Sequence, residues 1–308
     1  MSDLPEAWYP LRSVKLNALV VTVAALGGCA RGSMLAQDQQ ADAQAGSPDA
    51  KPGTDAAVTP MPDASTGGGG TSTLLLTEVV LAPSTGEFIE IANPSSTAVD
   101  LSTYYLSDNG NYFRLPAGLT TIDSTDFLAK FPGGASIAAH GVITVAIDTT
   151  ANFMATYAIA PTFSLASGTM TNIVSNGVPS LTNAGELIVL FRWNGQSDLV
   201  KDVDLTLAGA PAVGNGLVDK SGIAIDGPDT GTTTSVYAAD SRTLPMQGST
   251  PGAGKSTKRL VTEVGHETQS GGGNGITGDD ETSEDTATTW DSTGFGNPTP
   301  GVVPAALQ

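Results

Sequence analysis

Gly86-Glu87-Phe88-Ile89-Glu90-Ile91-Ala92-Asn93-Pro94 is the stretch from which the fold is read. Through Glu87–Ile91 apolar and polar residues alternate with period two, the spacing of a strand with one buried face. Ile89 and Ile91 are expected to point inward, with Glu90 facing solvent. Asn93-Pro94 then ends the strand, because proline has no amide to continue a ladder. Outward from this block, Val142-Ile143-Thr144-Val145-Ala146-Ile147 and Leu187-Ile188-Val189-Leu190-Phe191 are apolar runs of buried-strand length. Turn formers lie between them: Asp108-Asn109-Gly110-Asn111, Pro132-Gly133-Gly134 and Asn194-Gly195. Only Ser124–Phe131 and Ala151–Ala158 have the makeup of a helical turn or two. Many short strands with frequent turns predict an all-β chain, a sandwich or a barrel.

Composition agrees. Among 308 residues there are 37 Gly and 19 Pro, and 14% are charged, which fits turns and short strands better than helices. The chain beyond Gly67–Gly70 is long enough to bury a core. Asp and Glu number 31 against 13 Lys and Arg, a formal net charge of −18. Such a chain repels polyanions, so no nucleic-acid partner is expected. Lys255, Lys258 and Arg259 fit a solvated strand edge.

The N-terminus carries an export pattern. Arg12 and Lys15 precede an apolar run, Leu16–Leu26, too short to span a membrane, and this reads as the hydrophobic region of a signal peptide. It ends in Leu26-Gly27-Gly28-Cys29, which resembles the lipobox of bacterial lipoproteins. A thiol accepts the diacylglyceryl group, and small residues before it admit the membrane protease. Cys29 is the only cysteine, so no internal disulfide is available. Several acyl chains, at about 0.8 kcal/mol per buried methylene, would hold the protein on a membrane. The mixed-charge lead-in, residues 1–13, points to a translation start at Val14 or nearby. Ala30 rather than Asp after Cys29 favours the outer membrane, by analogy with sorting in enteric bacteria. Residues 31–73 are Ala, Gln, Asp, Pro, Gly, Ser and Thr with few larger apolar residues, the composition of a disordered linker. Its roughly forty residues would reach about 35 Å root-mean-square.

The folded part is similar to the lamin tail domain as found in secreted bacterial proteins. The resemblance rests on Thr77-Glu78-Val79-Val80-Leu81-Ala82-Pro83, on Gly86–Pro94, on Val99-Asp100-Leu101-Ser102 and on Leu106-Ser107-Asp108. Later segments extend it: Leu181-Thr182-Asn183-Ala184-Gly185-Glu186 as the turn into a central strand, Gly254-Lys255-Ser256-Thr257-Lys258-Arg259 as a Ser-x-x-Arg strand, and Asn297-Pro298-Thr299-Pro300-Gly301 as the closing segment. Tyr104-Tyr105 departs from the Gly-Trp common in the family. The resemblance implies an immunoglobulin-like antiparallel β-sandwich, here with enlarged loops at residues 117–179 and 206–252. The organisation expected is a signal peptide (1–28), a lipidated N-terminus and disordered linker (29–73), the sandwich (74–301) and a C-terminal tail (302–308).

Catalytic motifs are weak. Gly248–Ser256 has the look of a phosphate loop but lacks the glycine spacing and a following helix, so no nucleotide partner is expected. His140 and His266 read as turn or polar-loop residues, and no Gly-x-Ser-x-Gly or His-Glu-x-x-His occurs. Asp202 and Asp204, two apart on a strand, would share a face, as an acid/base pair or as solvent-facing charges. Asp279, Asp280, Glu281, Glu284 and Asp285, after a glycine-rich turn, are the candidate calcium ligands, since calcium takes six to eight oxygens. Their spacing is not that of an EF-hand. Relief of their repulsion could instead come from solvent or from Lys255, Lys258 and Arg259.

The resemblance implies a non-enzymatic, lipid-anchored module for attachment or interaction at the cell surface, with no obligate cofactor. Its partners would be the membrane, through the lipid, and a surface protein or polysaccharide. The alternatives are a secreted hydrolase using loop carboxylates and a calcium-dependent carbohydrate-binding sandwich.

Overall fold

The computed structural model describes residues 74–209, 218–240, 249–262 and 272–308. The signal peptide, Cys29, the linker and His266 lie outside the described residues. In chain order the strands are β1 (Leu75–Val80), β2 (Phe88–Ala92), β3 (Val99–Asp100), β4 (Tyr104–Ser107), β5 (Phe127–Lys130), β6 (Ser136–Ile137), β7 (Val142–Ala146), β8 (Phe163–Ser164), β9 (Thr171–Ser175), β10 (Gly185–Arg192), β11 (Lys201–Gly209), β12 (Ala224–Ile225), β13 (Ser235–Val236) and β14 (Thr257–Lys258). Two short α-helices accompany them, α1 (Thr150–Tyr157) and α2 (Thr286–Thr289). One five-stranded sheet has the order β14-β1-β2-β7-β8, and a second has the order β11-β10-β4-β5-β9. The pairing is antiparallel except between β7 and β8.

The expected all-β, immunoglobulin-like sandwich is what forms. Leu74, Leu76, Val79, Ile89, Ile91, Ile143 and Val145 from the first sheet meet Leu106, Phe127, Ala129, Ile188 and Leu190 from the second in one core. The alternation read in Glu87–Ile91 does place Ile89 and Ile91 inward. The unbroken run Leu187–Phe191 has its own cause: Leu187, Val189 and Phe191 face a second core on the far side of the second sheet. Tyr112, Phe113, Val218, Ile225 and Tyr237 cover that side. Side chains of 112–113 and of the second enlarged interval therefore bury the far face of the second sheet.

Two local readings change. Ser124–Phe131 holds β5, not a helical turn. Phe127 and Ala129 enter the inter-sheet core while Leu128 enters the second core, so the demands of two packed faces outweigh local propensity. Ala151–Ala158 does become helical. Thr149 Oγ1 caps α1 by accepting from Asn152 N at 3.2 Å, and Phe153 packs on Phe88 of the first sheet. Glu90 does not face solvent: it is fully buried, because the C-terminal segment crosses the outer face of the first sheet. Leu307 of that segment packs on Leu75 and Ala92.

Candidate functional site

β11 carries the acids on which the chemistry of the chain turns. Leu190 pairs with Asp204 and Phe191 with Asp202, so Val203 is the extra residue of a β-bulge. The bulge breaks the two-residue period, and Asp202 and Asp204 do not share a face. They are not solvent-facing either: Asp202 is 1% exposed and Asp204 0%. Each anchors a separate buried ion network.

Asp204 receives Arg259. The guanidinium Nη2 donates to both Asp204 oxygens at 2.8 Å, Nη1 donates to Glu284 Oε1 at 2.7 Å, and Nε donates to the Leu76 carbonyl at 2.7 Å. Leu76 N donates to Asp204 Oδ2 at 2.5 Å, and the guanidinium lies 5.0 Å from the centre of the Trp290 ring. Burial raises the Glu284 carboxyl to about 7, and the facing Arg259 pulls it back. Arg259 is therefore a buried tie between the two sheets and the 281–290 segment, not part of a solvated edge. Lys255 and Lys258 do stay at the surface side, on Asn297 and Thr299.

Asp202 receives Lys220. Lys220 Nζ lies 2.8 Å from Asp202 Oδ2 and 2.9 Å from Asp240 Oδ2, and all three side chains are buried. Tyr112 Oη donates to Asp202 Oδ1 at 2.7 Å. Asp240 is further held by Lys220 N at 2.7 Å and Asn274 Nδ2 at 2.6 Å. Burial raises Asp202, with Lys220 opposing it. Burial alone would lower Lys220, but the two aspartates outweigh it and the ammonium is favoured. Nothing in the sequence singled out Lys220, Tyr112, Asp240 or Asn274, because they come from four segments with no local motif.

The acidic run is drawn inward rather than gathered. Glu284 is on Arg259; Asp280 accepts from Thr282 N at 3.1 Å and Thr282 Oγ1 at 2.5 Å; Asp285 caps α2 by accepting from Ala287 N at 3.2 Å. Asp279 accepts from Thr277 Oγ1 at 2.9 Å, and Glu281 is buried. Among the described residues, no three of Asp279, Asp280, Glu281, Glu284 and Asp285 converge as a metal set. The acids that do come together are Asp198, Asp226 and Asp229, with carboxylate oxygens within 4.8 Å of one another. Asp198 is occupied by Gly227 N at 2.9 Å and Ser235 Oγ at 2.7 Å. Spacing alone could not reveal this set, since Asp198 precedes the other two by the whole of β11.

On the outer face of the first sheet, Glu78 and Glu90 stand opposite each other. Glu78 accepts from Thr299 N and Thr299 Oγ1, and Glu90 from Gly301 N at 2.8 Å and Thr77 Oγ1 at 3.0 Å. Through these bonds the amides of the closing segment cover two carboxylates. Burial raises Glu90 to about 8, and Glu78 adds to the rise. Glu87 is pushed up to about 7 by burial while Leu181 N donates to it at 3.0 Å. Asn93 fixes the next loop. Its Nδ2 donates to the carbonyls of Thr97, Ile137 and Ala138, and its Oδ1 accepts from Ser95 N and Ser95 Oγ.

Two open cavities, of about 430 and 420 Å³, border the C-terminal segment. His140, an exposed turn residue, lines the first with Val303, Leu307 and Gln308. Glu78, Lys258 and Leu260 line part of the second. The glycine-rich stretch before β14 runs into a strand, not a helix, as its spacing implied. No helix among the described residues is long and apolar enough to cross a membrane.

Residues 69–206 match the family model described as Lamin Tail Domain. The resemblance read from the sequence is thereby borne out from β1 into β11. No curated protein matches. Among solved structures, a DUF4876 family protein from Bacteroides thetaiotaomicron VPI-5482 is similar at 15% identity, over 76% of this chain and 72% of that one, with a TM-score of 0.36.

Proposed function

We propose that this chain, which carries a lamin tail domain over residues 69–206, is a non-enzymatic attachment or interaction module held at the bacterial cell surface by lipid on Cys29. The family match carries the reading, since the resemblance implies a tethering or binding class. The fate of the acids supports it. Glu87, Glu90, Asp108, Asp202 and Glu284, whose carboxyls burial raises, are hydrogen-bonded within the fold and line neither cavity. A hydrolytic pair would present such groups to a substrate cleft.

The partner is a surface protein or a wall polysaccharide, bound on the sandwich. The test is titration of the labelled chain onto isolated cell-surface fractions. Saturable binding, displaced by unlabelled chain and lost when the fraction is stripped of protein or of polysaccharide, is expected. Binding no greater than to protein-free lipid vesicles would contradict the proposal.

A further inference from the structure

The Lys220 network has more in it than an ion pair requires. A lysine amine is enclosed with two carboxyl groups and a phenol, sealed from solvent, with its Nζ 2.8 Å from one acid and 2.9 Å from the other. The two acids are not equivalent. Asp240 accepts from three donors, Lys220 N, Lys220 Nζ and Asn274 Nδ2, and so faces the amine as an acceptor. Asp202 has a hydroxyl hydrogen, from Tyr112, on Oδ1 and the amine at Oδ2. That is the layout of an acyl group with its carbonyl oxygen polarised, its leaving oxygen beside the nucleophile, and a base on the other side of the amine.

We propose that Lys220 Nζ condenses with Asp202 Cγ, forming an intramolecular amide with loss of one water. In the starting state Lys220 is an ammonium, Asp240 a carboxylate and Asp202 a neutral acid. Asp240 takes one proton from Nζ. The freed amine attacks Cγ of Asp202 as the Tyr112 hydroxyl stabilises the charge growing on Oδ1. The Cγ–Oδ2 bond breaks, and the departing hydroxyl takes a second proton from Nζ and leaves as water. The product is a secondary amide, a neutral Asp240 and water; nothing is oxidised or reduced. In bulk water the two groups are held apart as ions. In this enclosed site the neutral forms are accessible and the amine is held 2.8 Å from the leaving oxygen, Asp202 Oδ2. The burial that raises Asp202 and Tyr112 favours the protonated forms both roles need. The product would tie β11 to the segment that opens the β12–β13 hairpin, independently of what the module binds.

Tryptic digestion of the purified, denatured full chain decides the matter, because Asp202, Lys220 and Asp240 fall between the cleavage points after Lys201 and Arg242. Trypsin does not cut after an acylated lysine. The expected product is one fragment, Asp202 to Arg242, uncut at Lys220 and about 18 Da, one water, below its sequence mass. Fragment ions should place the link on Asp202. The Lys220→Arg chain keeps the cation but should give the fragment ending at residue 220 at full mass. A wild-type fragment Asp202–Lys220 at sequence mass would mean a plain ion pair and overturn the proposal. A link on Asp240 would overturn the assignment of the acids. Because the decisive reading is made on the wild-type chain, failure of the variant to fold would not shelter the idea.

Discussion

Replacing Arg259 with Met removes the guanidinium that faces Asp204 and Glu284 while keeping much of the side-chain volume. The guanidinium donates to Asp204 twice at 2.8 Å, to Glu284 at 2.7 Å and to the Leu76 carbonyl at 2.7 Å, and none of these groups can turn to water. Breaking a buried pair by removing one partner costs about 3–5 kcal/mol. The loss expected for Arg259→Met at pH 7.5 is about 4 kcal/mol, including the contact with Trp290. The pH dependence has a definite sign. Without Arg259, Glu284, already raised to about 7 by burial, loses the charge that pulls it back, so its folded value rises further above the unfolded one. The penalty is then largest above neutral pH and shrinks as pH falls toward 5. Denaturant unfolding of the wild-type and variant chains at pH 5.5 and 8 measures it. Glu284→Gln in the Arg259→Met background should recover about 1–3 kcal/mol at pH 8. A cost under about 1 kcal/mol, the same at both pH values, would refute the assignment of Arg259 as the tie across the core.

Glu90, raised to about 8, binds its proton more tightly in the folded chain than in the unfolded one, so stability should fall as pH rises from about 5 to 8. Glu90→Gln, whose Oε1 can accept from Gly301 N while its Nε2 donates to the Thr77 hydroxyl, should flatten that slope and gain about 2 kcal/mol at pH 8, read as a melting shift. Asn93→Ala strips bonds from three carbonyls and from Ser95, and should cost about 2–3 kcal/mol in denaturant unfolding; a loss below about 0.5 kcal/mol would mean the loop does not depend on it. Because Glu284, Asp280 and Asp285 are spent on Arg259 and on helix caps, calcium at millimolar concentration should shift melting by less than about 1 °C. A shift of several degrees that disappears in Asp279→Asn/Asp285→Asn would restore the acidic run as a cation site.

What could be read from the sequence, and what could not, divides along a physical line. Glu87–Pro94 was legible because strand period and proline act locally, and Leu187–Phe191 because burial on both faces needs an apolar run. Period-two reasoning fails at Asp202 and Asp204 because a bulge intervenes, and a bulge has no compositional mark at Val203. It fails at Glu90 because the covering amide, Gly301 N, arrives from the far end of the chain. Arg259 reads as a surface cation until its partners, 25, 55 and 183 residues away, are brought round it. The family match ends at residue 206, yet β14 and Arg259 complete the first sheet and its core. The short Ser-x-x-Arg and Asn-Pro-x-Pro-Gly segments were the signal for that, and Lys220 had none.

The most direct test of the central claim is fractionation of cells expressing the wild-type chain and Cys29→Ser, with labelled fatty acid supplied during growth. The account predicts that the wild-type chain is labelled and sediments with the membrane, while Cys29→Ser is unlabelled and is either released from the membrane fraction or left with its signal uncleaved. A Cys29→Ser chain that is processed normally and stays with the membrane would contradict it.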